Sequence, residues 1–274
     1  YVCDGNYPEN VNVNKKISLT PLETVTGIVS FSVSGNEASV TGFIINTTGD
    51  TGVTITGERN FVGIGVSKKN TGVRLLNAKD NSVSGTLINN GIGVSVESSS
   101  QNSLFTTTDN SSDRALSLIN SDNNSMFVTG TNNNIGSTIE KSNQNSFFLF
   151  FTNNTKAGIN VTNSSSNIIS VETTNSLGDG IMLKNSHKNI ISTFTIENGS
   201  VGLHVISSDN NRISTTVLLN RNDGVRVVSS KNNIIHFTAI NNSGNGLAVH
   251  NSTNSVFAGI ALNSTLDGIL LNNS

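Results

Sequence analysis

From residue 52 onward the apolar residues fall into fixed columns. Gly158, Gly180, Gly202, Gly224, Gly246 and Gly268 are evenly spaced, and each opens the same phrase: GINV, GIML, GLHV, GVRV, GLAV, GILL. Gly136, Ala115, Gly93, Gly72 and Gly52 continue the series backward at nearly the same interval. That makes ten complete units and an eleventh cut short. One past the opening residue stand Val53, Val73, Val94, Leu116, Ser137, Ile159, Ile181, Leu203, Val225, Leu247 and Ile269. Three past it stand Ile55, Leu75, Val96, Leu118, Ile139, Val161, Leu183, Val205, Val227, Val249 and Leu271. The residues between are mostly polar, and a period of two is the signature of a strand with one buried face. A further apolar column runs through Val83, Leu104, Met126, Phe147, Ile169, Ile191, Ile213, Ile235 and Phe257, marking a second strand in each unit.

Two columns of asparagine separate these strands. The first is Asn81, Asn102, Asn124, Asn145, Asn167, Asn189, Asn211 and Asn233. The second is Asn89, Asn110, Asn132, Asn153, Asn175, Asn198, Asn220, Asn241 and Asn263. Asparagine tolerates the backbone angles of a tight corner and hydrogen-bonds its own backbone there. In register, its amides can also bond to one another as a ladder. The first column is therefore expected to be a structural Asn ladder.

The alphabet excludes a helical repeat. Asn, Ser and Thr are the three commonest residue types, and all three are poor in helix interiors. A regular register also argues against an Asn-rich disordered tract. The expected fold is all-β: a parallel β-helix, right-handed like other parallel crossovers, with about 20–22 residues per coil and successive coils about 4.8 Å apart. Residues 1–51 read as irregular N-terminal coils and residues 52–274 as regular coils of the same domain. One coil cannot bury its apolar side chains alone, which is why the phrase must recur.

The stretch YVCDGNYPENVNVNKKISL, with Gly5, Tyr7, Glu9, Asn10, Val11 and Lys15, resembles the first coil of NosD-type right-handed β-helix proteins. Ala38–Ile55 is similar to their second step, and the later units to the parallel β-helix repeats of the wider pectin-lyase-like superfamily. The resemblance implies the fold. It leaves function open, because this scaffold carries lyases, epimerases, phage tailspikes, adhesins and envelope proteins. It also implies copper handling by name, but the four His, two Met and one Cys stand at no ligand-like spacing. No metal site is expected. By the same resemblance the chain reads as a fragment, with open β-helix ends covered by copies of itself or by the rest of its own chain.

Charge adds exclusions. Sixteen basic and eighteen acidic residues leave the chain almost neutral, which speaks against nucleic-acid binding. No apolar run is long enough to span a membrane as a helix. Cys3 stands alone, so no internal disulfide exists; a buried small hydrophobe is the expected role, with pairing outside the chain as the alternative.

Reactive residues are sparse. Lys184, His204, Arg226 and His250 fall at outward positions of the Gly-opened strand on neighbouring coils, and they are the weak candidates for catalysis. Apart from Glu140, no carboxylate joins them on that strand. Asp179, Asp223 and Asp267 each precede a glycine and read as Asp-Gly turns. They lie too far apart to supply the six to eight oxygens calcium requires, so no cofactor is expected. The run Phe147–Phe151 must point two or three side chains outward, as a sugar-stacking patch, a subunit contact or a thickening of the core. Eleven Asn-x-Ser/Thr sequons occur; Asn110, Asn153, Asn198, Asn241 and Asn263 lie in the second Asn column, at an expected exposed corner, and are the candidate glycosylation sites.

Together these readings point to an extracellular or cell-envelope structural module of surface-layer, sheath, filament or adhesin type, glycosylated and self-associating, with glycans as further partners. The alternative is a polysaccharide lyase, epimerase or hydrolase; a further one is a trimeric virus tail fibre.

Overall fold

The structure, a computed structural model, describes residues 2–3, 5–22 and 25–274, with the backbone alone at Val25 and Thr26. The chain divides into two compact units, Tyr1–Asn133 and Asn134–Ser274. Each is a stack of parallel β-coils, and no helix occurs among the described residues. None is therefore long and apolar enough to cross a membrane.

The first unit opens on strands of two to four residues, then runs through two long ones, Ser39–Ile55 and Phe61–Leu76. Their parallel register shifts between Thr41 and Phe43 and again between Asn46 and Gly49. From Ser82 the coils become regular, each with a seven-residue strand and a shorter one. In the second unit the seven-residue strands are Ser146–Thr152, Ile168–Thr174, Ile190–Ile196, Arg212–Leu218, Ile234–Ile240 and Val256–Leu262. The shorter ones include Ile159–Thr162, Ile181–Lys184, Leu203–Ile206, Val225–Val228 and Leu247–His250. Each strand pairs in parallel with the equivalent strand one coil on: Ile181 with Leu203, Leu203 with Val225, Val225 with Leu247.

The apolar columns read from the sequence are the core. Ile159, Val161, Leu183, Leu203, Val205, Val225, Val227, Leu247 and Val249 have no exposed surface. Burying each such side chain contributes roughly 1.5–3 kcal/mol.

Three buried ladders replace turns within a coil by bonds to the next coil. In the first, Asn60, Asn81 and Asn102 donate backbone N–H to the Oδ1 of Asn81, Asn102 and Asn124 at 2.9–3.0 Å. In the second unit Asn145, Asn167, Asn189 and Asn211 do the same to Asn167, Asn189, Asn211 and Asn233, each at 2.9 Å. The expected column thus forms a ladder, and it begins one coil earlier, at Asn60. A second ladder is made of serine: Ser142, Ser164, Ser186, Ser208 and Ser230 donate N–H to the Oγ of Ser164, Ser186, Ser208, Ser230 and Ser252. A third runs through Ser176, Asn198, Asn220 and Asn242 at 3.1 Å per step.

Each ladder residue follows a residue in the left-handed region, such as Lys188 (φ 56°) before Asn189 and Asn185 (φ 48°) before Ser186. A left-handed residue turns the chain sharply, and the next side chain then points into the wall. At the third corner this residue is Asn89, Asn110, Asn132, Asn153, Asn175, Asn241 or Asn263, but Glu197 and Leu219 in two coils. The second asparagine column of the sequence therefore merges two structural columns. Asn198 and Asn220 belong to the buried ladder, and their neighbours carry the turn.

The glycines that open the short strands are not needed for their backbone angles: Gly158, Gly180, Gly202, Gly224 and Gly246 all lie outside the left-handed region. They are needed for space. A Cβ on Gly202 would stand 2.7 Å from the Gly224 carbonyl oxygen and 2.8 Å from both Asn220 Nδ2 and Thr195 Oγ1. Cys3 is exposed, which corrects the expectation of a buried hydrophobe.

Candidate functional site

The outward positions of the seven-residue strands in the second unit build a groove of about 400 Å³. Strand alternation sends Phe147, Leu149 and Phe151 inward and Phe148 and Phe150 outward. Those two rings meet edge to face, with centroids 4.9 Å apart. Phe148 is 44% exposed. In register with Phe148 on the following coils come Ser170, Ser192 and Ser214; in register with Phe150 come Glu172, Phe194 and Thr216. The result is a hydroxyl floor, two aromatic rings at one end, a third ring two coils on, and one carboxylate between. Ile168 and Ile190 border the floor, 55% and 53% exposed. The Phe run signalled the aromatic end. The rest was invisible in sequence because Ser170, Glu172, Phe194 and Ser214 share a surface only through the register between coils.

The weak catalytic candidates are only partly brought together. His204 and Arg226 are direct neighbours on adjacent coils. Lys184 pairs with Ile206, and His250 with Val228, in the neighbouring outward column. Lys184 and His250 are three coils apart, roughly 14 Å. No carboxylate joins them on those strands, but the turns before the strands supply two that the sequence reading took only as turn formers. Asp179 Oδ2 lies 3.0 Å from His204 Nδ1, and Arg226 Nε donates to Asp223 Oδ2 at 2.7 Å. The contact from Asp179 joins a turn to a strand of the next coil, so scanning a single strand could not find it.

Burial alone would push the Asp179 carboxyl up. Hydrogen bonds from His204, Ser200 and the Val201 amide outweigh it and hold the group below the usual carboxylate value. An ionised Asp179 places the proton of His204 on Nδ1. Asp223 is nearly enclosed, 2% exposed, and also accepts the backbone and side-chain N–H groups of Asn245 at 2.7 and 2.9 Å. Both aspartates are thus more than turn formers: each ties its corner to the strand beyond it.

The candidate glycosylation sites divide. Asn110, Asn153, Asn241 and Asn263 are exposed at left-handed corners. Asn198 is fully buried; its Oδ1 accepts the Ser176 N–H and its Nδ2 donates to Asn220 at 3.0 Å. It cannot accept a glycan without dismantling the ladder, which corrects its place among the candidates.

Residues 142–274 match the model of a family described as NosD, periplasmic copper-binding protein. No curated protein matches the chain in sequence. Among solved structures, PfbA, a surface adhesin of Streptococcus pneumoniae, is 9% identical over 95% of this chain and 83% of its own, with a TM-score of 0.49. The receptor-binding tailspike protein of bacteriophage Det7 is 10% identical over 96% of this chain and 72% of its own, with a TM-score of 0.44. A variant of the periplasmic alginate epimerase AlgG is 15% identical over 88% of this chain, which spans 64% of it, with a TM-score of 0.40. These likenesses concern the fold.

The residues present do not fit a copper site. Among the described residues, no three of His, Cys, Asp and Glu gather closely enough to hold a metal ion. Met182 does stand in register with His204. But the His204 Nδ1 is committed to Asp179, and the next residue in the column is the Arg226 cation. The family match falls in the regular coils of the second unit, away from the N-terminal stretch that carried the sequence resemblance. Each unit is thus built as a parallel β-helix, and residues 142–274 match the NosD family model.

Proposed function

We propose that this chain is a structural β-helix module of the cell envelope or extracellular surface, and that it holds glycan chains in the groove bounded by Phe148, Phe150 and Phe194. The groove is the observation that carries the reading. An aromatic ring offers a flat apolar surface that the C–H face of a sugar can cover, and the serine floor offers hydroxyls for the sugar's own. Sites of this kind combine apolar walls with a few placed polar groups. The description of the matching family as periplasmic supports the location. Glycosylation at Asn110, Asn153, Asn241 and Asn263 is part of the proposal, as is association with further copies of the module.

Isothermal titration of the chain against a panel of neutral, acidic and basic oligosaccharides tests the groove. We expect saturable binding to at least one class, weakened tenfold or more by Phe194→Ala, about 1.4 kcal/mol. No saturable binding to any class would end the reading.

A second reading, a polysaccharide lyase, epimerase or hydrolase, is favoured by the Asp179–His204 pair with Arg226 beside it. An oriented imidazole next to a cation is the equipment for proton transfer near an anionic sugar. We expect no turnover on such polymers. Measured turnover that His204→Ala abolishes would replace the structural reading with this one.

A further inference from the structure

We propose that the groove selects a cationic ligand, an oligosaccharide carrying free amino groups, with one ammonium seated at Glu172 between Phe150 and Phe194. The inference rests on the glycan-binding reading and narrows it. Phe150, Glu172 and Phe194 follow one another in a single outward column, one residue per coil. The two rings are therefore roughly 10 Å apart, with the carboxylate midway.

Four other glutamates are matched by cations. Glu37 pairs with Lys16 and Arg59, Glu58 with Arg59, Glu97 with Arg74, and Glu140 with Lys141. Among the described residues the Glu172 side chain, like those of Glu9 and Glu197, has neither an ion pair nor a hydrogen bond, and it lines this groove. No Lys or Arg lines that groove.

An unpaired carboxylate next to aromatic faces defines a ligand chemistry. The π face of a ring attracts a cation within about 6 Å of its centre, and the carboxylate supplies the counter-charge. A uronate or phosphate would instead meet like charge at the centre of the groove. Two sources offer an ammonium: an amino sugar and a quaternary ammonium headgroup. The extent of the groove favours the sugar. From Phe148 to Ser214 it spans three coil steps, roughly 14 Å, and each step adds a hydroxyl. A single headgroup would occupy the Glu172 position and leave the serine floor without partners.

The test is titration of the chain with glucosamine trimer, its fully N-acetylated counterpart and choline, at low salt and at a pH where the amine is protonated. We expect the free-amine trimer to bind at least tenfold tighter than the acetylated one, with the advantage shrinking as salt is raised. Glu172→Gln should erase that advantage while leaving the thermal unfolding curve in place, since the side chain has no structural partner. Choline binding as tightly as the trimer would keep the ammonium chemistry and overturn its assignment to a sugar. Equal or tighter binding of the acetylated trimer would overturn the cationic selection and leave the glycan reading standing. Absence of binding by oligosaccharides of every charge class would remove both.

Discussion

Asn167→Ala should lower the unfolding free energy by about 4 kcal/mol, as expected for a ladder residue bonded on both sides. Asn167 Oδ1 accepts the Asn145 backbone N–H at 2.9 Å and its Nδ2 at 3.2 Å. Asn167 Nδ2 in turn donates to the Ser142 carbonyl at 3.0 Å and to Asn189 Oδ1 at 3.1 Å. The side chain is fully buried. Truncation strands a buried amide and a buried carbonyl, each costing about 1–3 kcal/mol when left unpaired. Equilibrium urea unfolding of the wild type and the variant measures the difference. A loss under about 1 kcal/mol would mean that water or a relaxed wall satisfies those groups, and the ladder would lose its claim to set the register.

Gly202→Ala should cost about 3 kcal/mol by overpacking, within the range seen when methylenes are forced into a filled core. The added methyl would meet the Gly224 carbonyl, Asn220 Nδ2 and Thr195 Oγ1, all under 3.0 Å. Gly65→Ala is the control, because a Cβ there meets nothing nearer than 3.5 Å and should be nearly neutral. Thermal unfolding of both variants decides the matter. Equal effects would show that these glycines are kept for flexibility rather than for space. The chain already contains a related experiment. In the first unit the short strand Arg114–Ile119 opens on Ala115, and Gly130 follows it at the step where Thr108 follows Gly93. A Cβ on Gly93 would touch Thr108 at 2.7 Å.

The fold was legible because its unit is short and repeated, so each column was sampled many times. Val205, Val227 and Val249 identified an inward face that one strand alone would have left ambiguous. What was misread followed from counting along the chain without the walls. The second asparagine column is not evenly spaced: the step from Asn175 to Asn198 is longer than the next, and the step from Asn220 to Asn241 is shorter. That slip is the passage from an exposed corner into a buried ladder and back. The serine ladder went unnoticed because serine is common everywhere in this sequence, and only burial distinguishes Ser164 or Ser186 from the rest. The partnership of Asp179 with His204 was missed for a different reason: it runs diagonally between coils, and such contacts leave no trace in a column count.

The ladders also determine how such a chain must fold. A ladder bond never closes inside one coil; its partner lies a full coil away along the chain. Every growth step in a unit therefore repeats the same loop closure, whose length-dependent entropy is roughly 2.7 kcal/mol at that separation. The return for each step is one layer of core and one rung at each of three corners. A nascent coil gains nothing until it lies on a finished one, so assembly within a unit is templated and proceeds outward from a seed. A broken rung such as Asn167→Ala thus weakens one defined step in the order of growth.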